Sequence, residues 1–345
     1  MDTPRSVCSD PCLSGYRKCL QSGRLPCCFD CVLCNDGEIT NSTAMEKCEN
    51  CPDDQWPNFY RNQCIKRPLH FLSYEDPLGK TLTIVAFVFS AITAMVLWIF
   101  VKYRKTPLVR ANNCKLSYVL LTSLFWDFLL SFLFIGHPEE MTCLIRQTAF
   151  GFIFSVAISA VLGKSITVII AFNATKPGSR LRKLLGSKIS VILVFICSMG
   201  ELVICVSWLI CAPPFVEYDT KTMAGHIIVQ CNEGSIAAFY FAVSYIGILA
   251  SFSFLIAFLS RNLPDTYNET QYITFSMLVF CSVWISFFPT YLCTKGKTMV
   301  AVEVFAILSS NGALLCLIFF PKCYIILLRP ERDRKRNFPL KVFTM

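Results

Sequence analysis

Charged side chains are scarce in this 345-residue chain: Asp, Glu, Lys and Arg make up only 16% of it, whereas hydrophobic residues make up 54%. Soluble globular domains carry about 25% charged residues, so the composition excludes an ordinary soluble domain. The polar residues are also unevenly placed, because residues 1–76 are polar and rich in cysteine, whereas residues 81–328 consist of long apolar runs with short polar breaks. The sequence therefore predicts one region in water and one in lipid.

Histidine is rarer still, with only His70, His137 and His226 scattered along the chain. No phosphate-binding loop, nucleophile elbow or HExxH motif occurs, so we expect no enzyme activity, no cofactor and no metal site. The formal net charge of +9 is a feature of nucleic-acid-binding proteins, but the Lys and Arg residues here lie beside the apolar runs. That placement favours a lipid bilayer as the partner and no nucleic acid.

Seven apolar runs each approach the ~20 residues that a helix needs to cross a bilayer. They cover approximately residues 81–101, 116–135, 147–172, 189–212, 235–260, 272–293 and 298–321. The predicted fold is an all-α membrane protein, a seven-transmembrane helix bundle preceded by a small disulfide-rich extracellular domain. An odd number of spans puts the two termini on opposite sides of the membrane.

Positive charge in short loops indicates which end faces the cytoplasm. Five Lys and Arg residues follow the first run, five follow the third, one follows the fifth and seven lie at the C-terminal end, whereas the opposite loops hold only Arg146, Lys221, Lys295 and Lys297. We therefore expect a multi-pass plasma-membrane protein with an extracellular N-terminus and a cytoplasmic C-terminus. The predicted domains are a cysteine-rich domain at 1–76, a transmembrane domain at 77–329 and a cytoplasmic tail at 330–345.

Cysteine is abundant in the N-terminal region. Of 20 cysteines in the chain, half lie in the first 64 residues: Cys8, Cys12, Cys19, Cys27, Cys28, Cys31, Cys34, Cys48, Cys51 and Cys64. CxxC pairs of this kind bind zinc in cytosolic proteins, but an extracellular location favours disulfides.

The orientation also sorts the three Asn-x-Ser/Thr sequons. Asn41 lies on the predicted extracellular side and is a candidate glycosylation site, with an ordinary turn residue as the alternative interpretation. Asn173 and Asn268 fall on the cytoplasmic side and are chance matches. Because Met1–Leu20 lacks the apolar segment of a signal peptide, we expect the natural chain to begin further upstream, or this chain to be truncated.

Local sequence motifs indicate which family of seven-helix membrane proteins this chain resembles. In the N-terminal region they are Ser6–Ser9, Cys27–Cys34, Asp36–Ile39 and Cys51–Pro52, and in the helical region Lys115–Leu121, Phe134–Pro138, Arg261–Glu269 and Phe320–Leu327. Together they resemble the cysteine-rich linker and the helical domain of class C (family 3) G-protein-coupled receptors. Three further segments, Ser282–Trp284, Lys295–Phe305 and Leu328–Arg332, are similar to the vomeronasal type 2 (pheromone) receptors of that class. Calcium-sensing and taste receptors are near neighbours.

This resemblance implies a receptor that relays extracellular ligand binding to a heterotrimeric G protein, Gi/Go-like, as a homo- or heterodimer. The family's ligand-binding Venus-flytrap domain is not in this chain. A truncated, non-signalling fragment is one alternative function, and a channel or transporter is another. The uninterrupted second and fifth runs and the lack of inverted repeats count against a transporter.

The resemblance also implies a disulfide pairing. Carried over by position, it joins Cys8 to Cys28, Cys12 to Cys31, Cys34 to Cys48 and Cys51 to Cys64. Cys27 then matches the cysteine that bonds the flytrap domain. Cys19 is outside the family pattern, so a Cys19–Cys27 bridge is an alternative. Cys143 and Cys231 match the pair that ties the third helix to the loop before the fifth.

Within the predicted spans, ionisable side chains are costly and mark functional positions. Lys164 and Glu269 match the family's ionic lock of the inactive state; the alternative for Lys164 is an ammonium that snorkels to the headgroups. Asp127 and Glu201 depart from the family, and we assign them no role, although neighbouring Ser and Thr can satisfy Asp127. Glu303 is either a carboxylate at the bilayer rim or part of an allosteric pocket with four aromatic residues, namely Phe150, Trp284, Phe287 and Tyr291.

Overall fold

A computed structural model describes residues 8–111, 113–174, 187–261 and 269–328, which form two compact units. The cysteine-rich unit contains the chain up to His70 together with Glu217–Gln230. The helical unit contains Phe71–Val216 and the chain from Cys231 onward. The predicted cytoplasmic tail at 330–345 lies outside the described residues.

The cysteine-rich unit is built from short antiparallel strand pairs. Strand β1 (Tyr16–Leu20) pairs with β2 (Phe29–Leu33), β3 (Glu38–Ile39) with β4 (Glu49–Asn50), and β5 (Gln55–Pro57) with β6 (Cys64–Lys66). Two-stranded ribbons of this length are marginal alone. A unit of this size lacks a large apolar core, so covalent cross-links must supply stability.

Disulfides provide those cross-links. Four join the cysteine-rich unit, namely Cys8–Cys28, Cys12–Cys31, Cys34–Cys48 and Cys51–Cys64. Cys12 and Cys34 are fully buried, so two of the bridges lie at the centre of the unit. Cys19 and Cys27 are exposed free thiols, with no bridge between them.

A distant part of the chain completes this unit. Strand β7 (Leu69–His70) pairs in parallel with β9 (Ile227–Asn232), and β8 (Phe215–Asp219) follows β9 in the same sheet. Arg67 donates a 2.7 Å hydrogen bond to the carbonyl oxygen of Thr220. The loop between the fourth and fifth spans therefore supplies structure to the N-terminal unit.

The described part of the chain contains seven helices long and apolar enough to cross a membrane, which confirms the predicted seven-helix fold. They are span 1 (Pro77–Lys102), span 2 (Cys114–Leu130, continued by a 3-10 turn at Ser131–Phe134), span 3 (Glu140–Ala174), span 4 (Ser187–Cys211), span 5 (Ile236–Ser260), span 6 (Glu269–Cys293) and span 7 (Lys297–Leu328). A short helix at Pro107–Ala111 follows span 1.

These sequences form helices because lipid offers no partner for a free backbone amide or carbonyl. Serine and threonine are tolerated within the spans because their hydroxyls bond to the helix itself. Ser90 donates to the carbonyl oxygen of Ala86, and Thr93 to that of Phe89, at 2.8 and 2.7 Å. Ser235 caps span 5 by accepting from the Ala238 amide.

Two span boundaries differ from the sequence prediction. Span 3 begins at Glu140 and not near 147, and span 7 continues to Leu328 and does not end near 321. The apolar runs stop where Arg146 and Lys322 interrupt them, but both side chains are buried inside the bundle. A helix continues through a charge whose side chain has partners.

Spans 3 and 7 form the centre of the helical unit. In each of them 61% of the most apolar stretch is buried, against 28% in spans 4, 5 and 6. Leu72 is also buried in this core and its carbonyl oxygen accepts from the Gly136 amide, so the helical unit begins at Phe71, before the predicted boundary at 76. Only residues 294–296 join spans 6 and 7. In this tight connection Gly296 has a φ of +65°, which favours glycine.

Candidate functional site

A buried ionic cluster joins four spans near one end of the bundle. Its members are Ser117 on span 2, Lys164 on span 3, Glu269 at the start of span 6 and Lys322 on span 7. Lys164 lies roughly 15 Å from the end of its helix at 1.5 Å per residue. The structure thus brings together the two residues that the family resemblance paired.

Glu269 is the shared acceptor of this ionic cluster. Its Oε1 lies 3.2 Å from the Lys164 Nζ and 2.5 Å from the Lys322 Nζ. The Lys164 ammonium also donates to the Ser117 hydroxyl at 2.9 Å. Both lysine side chains are no more than 3% exposed, so Lys164 does not reach out to water as a snorkelling side chain does.

The charges of the cluster depend on each other because all are shielded from water. Removing a partner from a buried ion pair leaves a charge without compensation and is strongly destabilising. The carboxylate comes from span 6 and the two ammonium groups from spans 3 and 7, so any outward movement of span 6 must break both bonds. The cluster can therefore hold one arrangement of these three helices.

Sequence reasoning missed two members of the cluster. We assigned Lys322 to the positive charge after span 7, because it follows Pro321 at the end of the apolar run. Ser117 lies in the Lys115–Leu121 motif, where a serine carries no signal of a buried ionic role. Lys322 lies in the Phe320–Leu327 motif, and a lysine inside such a motif is the signal that points to a buried role.

A second polar cluster lies at the opposite ends of spans 3, 6 and 7. Glu303 on span 7 is 6% exposed, and Arg146 on span 3 and Glu233, before span 5, lie close enough to influence its charge. Tyr291 on span 6 donates a 2.8 Å hydrogen bond to the Glu233 carboxylate. Glu303 therefore faces the interior of the bundle.

Arg146 was also missed, since sequence reasoning placed it in a loop. Only 3% of it is exposed, its guanidinium lies 4.8 Å from the centre of the Phe134 ring, and its Nε has no hydrogen-bond partner. The buried Oε2 of Glu303 is likewise without one. These two unsatisfied atoms give the second polar cluster unused hydrogen-bonding capacity.

Aromatic rings connect this cluster to a cavity. The ring centres of Phe150 and Trp284 lie 6.3 Å apart, and those of Trp284 and Phe287 lie 5.1 Å apart. The Tyr291 ring centre lies 5.2 Å from that of Phe287. Phe150 and Trp284 line an apolar cavity of about 820 Å³ between spans 3, 5 and 6. Of the five residues predicted to form one pocket, Phe150 and Trp284 line this cavity. Phe287, Tyr291 and Glu303 do not line it and lie toward the second polar cluster.

Asp127 and Glu201 are both fully buried. The Oε1 of Glu201 is 3.6 Å from the Cys205 sulfur on the same helix, and its Oε2 has no partner. Neither carboxylate oxygen of Asp127 has one, because Ser131 donates to the backbone carbonyl oxygen of Asp127 and not to its side chain. The neighbouring hydroxyls that could satisfy Asp127 therefore do not donate to its side chain.

A fifth disulfide lies in the helical unit. Cys143, at the start of span 3, is bonded to Cys231, before span 5. The sulfurs of Cys8, Cys27 and Cys28 lie within 4.8 Å of one another, but two of them are bonded together, so the group offers one thiol and no zinc site. Asn41 is exposed, as a glycosylated asparagine must be.

Two family models match this chain. Residues 72–322 match the family described as "7 transmembrane sweet-taste receptor of 3 GCPR", and residues 3–57 match the "Nine Cysteines Domain of family 3 GPCR". The two matches cover the helical spans and most of the cysteine-rich region.

Curated relatives agree with these matches. The chain is 52% identical to vomeronasal type-2 receptor 26 of Mus musculus over 336 residues and 47% identical to vomeronasal type-2 receptor 116 of Mus musculus over 330 residues. It is 46% identical to the extracellular calcium-sensing receptor of Homo sapiens over 333 residues. These alignments cover 96% or 97% of this chain, but only 39% of each vomeronasal receptor and 31% of the calcium-sensing receptor. The chain, similar throughout its length to vomeronasal type-2 receptors, belongs to the class C (family 3) G-protein-coupled receptors.

Proposed function

We propose that this chain is the membrane relay of a pheromone receptor of the vomeronasal type 2 kind. In this role it receives a conformational signal from an extracellular ligand-binding module and passes it to a heterotrimeric G protein of the Gi/Go type. Family membership supports a receptor, and receptors of this class are not enzymes. The receptor acts as a homo- or heterodimer, with the C-terminus in the cytoplasm.

The ionic cluster of Ser117, Lys164, Glu269 and Lys322 is the observation that carries this proposal. A receptor needs an arrangement of helices that holds without ligand and is released by it. The cluster supplies that restraint, since one carboxylate on span 6 binds cations on spans 3 and 7. We propose that it locks the inactive state and that signalling separates span 6 from the two lysines.

The second polar cluster and its aromatic neighbours are proposed to bind small modulators. Phe150 and Trp284 supply apolar walls, and Arg146 and Glu303 supply charges of opposite sign with unused hydrogen-bonding atoms. A ligand with a polar group and an aromatic ring matches this combination.

The lock is tested by measuring basal nucleotide exchange on a purified Go heterotrimer, with the chain in lipid nanodiscs. Lys164→Ala and Glu269→Ala should each raise the basal rate. A restraint worth about 1 to 3 kcal/mol corresponds to a 5- to 150-fold shift in population. Lys297→Ala is the matched control, since Lys297 forms a half-exposed 3.6 Å ion pair with Asp76 elsewhere on the helical unit.

Charge reversal tests the pairing itself. Because Lys322 also bonds Glu269, the exchange Lys164→Glu with Glu269→Lys is made in a Lys322→Gln background, and it should restore a low basal rate relative to either single reversal. Unchanged basal rates in both alanine variants would rule out the lock. No exchange on Go with any variant would argue for a non-signalling fragment and against the proposed relay.

A further inference from the structure

We propose that Asp127 is a neutral carboxylic acid paired head to head with the Asn311 amide, so that the two side chains form a proton-containing clamp between spans 2 and 7. Asp127 and Asn311 are both fully buried, and the two helices that carry them pack against each other. Neither residue belongs to the ionic cluster or to the second polar cluster.

Four polar atoms without partners motivate this pairing. The Asn311 amide lies next to the Asp127 carboxyl, yet Oδ1 and Oδ2 of Asp127 and Oδ1 and Nδ2 of Asn311 all lack a hydrogen bond of good geometry. Buried polar atoms are rarely left in this condition, and in lipid each one costs several kcal/mol. Asp127 and Asn311 lie side by side in space and the polar atoms of both are unsatisfied. This arrangement indicates a missing partner, such as a proton, whose position the heavy atoms do not show.

The serines nearest in sequence do not donate to this pair, since each donates to its own helix. Ser123 and Ser131 on span 2 donate to the carbonyl oxygens of Leu120 and Asp127, and Ser310 on span 7 donates to that of Ile307. Within the described ranges, no basic side chain forms an ion pair with Asp127. An ionised carboxylate here would be a bare charge in the bilayer interior.

One added proton satisfies all four atoms at once. The acid O–H of Asp127 donates to Asn311 Oδ1, and the Asn311 Nδ2–H donates to the remaining carboxyl oxygen, which closes a ring of two hydrogen bonds. A bound monovalent cation is the competing occupant. It would engage the oxygens, but Nδ2 cannot bind a cation and would stay unsatisfied. The proton therefore accounts for more of the observed atoms than a metal ion does.

The location gives this clamp a consequence for the bundle. Asp127 lies roughly 20 Å along span 2 from Cys114 at 1.5 Å per residue, well away from Lys164 and Glu269. Spans 2 and 7 are thus fastened in the membrane interior by a neutral pair, while the charged cluster holds spans 3, 6 and 7 near their ends.

Infrared difference spectroscopy of the chain in nanodiscs tests the protonation directly. The spectrum of wild type minus Asp127→Asn should show the C=O stretch of a protonated acid at neutral pH, and Asn311→Ala should shift that band to the position of an acid without a hydrogen bond. A carboxylate band in its place, or a band that Asn311→Ala leaves unmoved, would overturn the pairing.

Thermal unfolding of the same variants separates a proton from a cation. Asp127→Asn preserves a cyclic amide pair and should melt near the wild type, whereas Asp127→Ala and Asn311→Ala should each melt several degrees lower. The exchange Asp127→Asn with Asn311→Asp recreates the acid–amide pair in reverse and should recover that loss. Replacing sodium with choline at constant ionic strength should change nothing; a sodium-dependent stabilisation that disappears in Asp127→Asn would establish a cation site and refute the neutral acid.

Discussion

Glu269 contributes more to the ionic cluster than either lysine does, because a single one of its carboxylate oxygens accepts from two buried lysines. Loss of either lysine leaves a neutral pair, but loss of the carboxylate leaves two ammonium groups facing each other in a medium of low dielectric constant. The contribution of the cluster to stability is therefore concentrated in its one acid.

Glu269→Gln should consequently lower the melting temperature of the chain in nanodiscs more than Lys164→Met or Lys322→Met does. Methionine keeps most of the lysine volume, so the comparison isolates charge from packing. The measurement is a thermal melt by intrinsic fluorescence, with Lys297→Met, which breaks a partly exposed ion pair, as the control. Equal losses in all three cluster variants would mean that the ionic cluster behaves as two independent pairs.

The sequence could predict only part of this site. Lys164 and Glu269 emerged because they match a family motif, whereas Lys322 and Arg146 looked like the flanking charges that end a membrane span. A charge next to an apolar run has the same appearance whether its side chain points to the headgroups or into the bundle. Helix rotation decides between the two, and rotation depends on packing with helices far away in sequence.

At the scale of the helices, spans 4 and 5 approach closely at a glycine. A Cβ atom added at Gly200 on span 4 would lie 2.5 Å from the hydroxyl oxygen of Tyr245 on span 5. That hydroxyl also donates a 2.8 Å hydrogen bond to the Cys197 carbonyl oxygen, so the ring cannot move aside without losing it. Glycine at this position leaves room for the Tyr245 hydroxyl of span 5 to bond to the backbone of span 4.

Gly200→Ala should therefore destabilise the bundle by about 1 to 3 kcal/mol, the usual cost of an overpacked core. Gly247→Ala on span 5 is the matched control, because nothing lies within 4 Å of the Cβ added there. Alanine is the better helix former by about 1 kcal/mol, so the control should be neutral or slightly stabilising. Melting curves that coincide for the two variants would contradict the close approach.

Helix existence was easier to predict than helix ends. All seven spans were found from apolar runs alone, because a bilayer demands a long uncharged helix of nearly fixed minimum length. Their ends were displaced by as much as seven residues at Glu140 and Leu328. Beyond the hydrocarbon the demand disappears, and local contacts decide how far each helix continues, such as the Lys322–Glu269 ion pair and the packing of Arg146 against the Phe134 ring.

At the scale of the whole molecule, this is a multi-pass plasma-membrane protein with an extracellular N-terminal domain. The sequence did not predict that residues 217–230 join the N-terminal unit. A parallel pair between β7 and β9 links segments more than 150 residues apart, and the two-residue strand Leu69–His70 carries no pattern that marks its partner.

Glycosylation tests the proposed orientation of the chain. Expressed in mammalian cells, the protein should carry a glycosidase-sensitive mass increment that Asn41→Gln abolishes, since Asn41 is exposed on the extracellular unit. Asn173→Gln and Asn268→Gln, at the sequons assigned to the cytoplasm, should leave the increment unchanged. An increment that persists in Asn41→Gln but is lost in either of the other variants would reverse the orientation.

The exposed thiols of Cys19 and Cys27 affect how the proposed dimer of this chain can be tested. Two surface thiols on one chain form intermolecular bonds in air, and the product is a ladder of covalent oligomers on a non-reducing gel. Such bands report oxidation during purification and not receptor pairing in the membrane. Cys19→Ser with Cys27→Ser removes both thiols, so only an association that survives in that variant, for example by single-molecule photobleaching, counts as the dimer of the living cell.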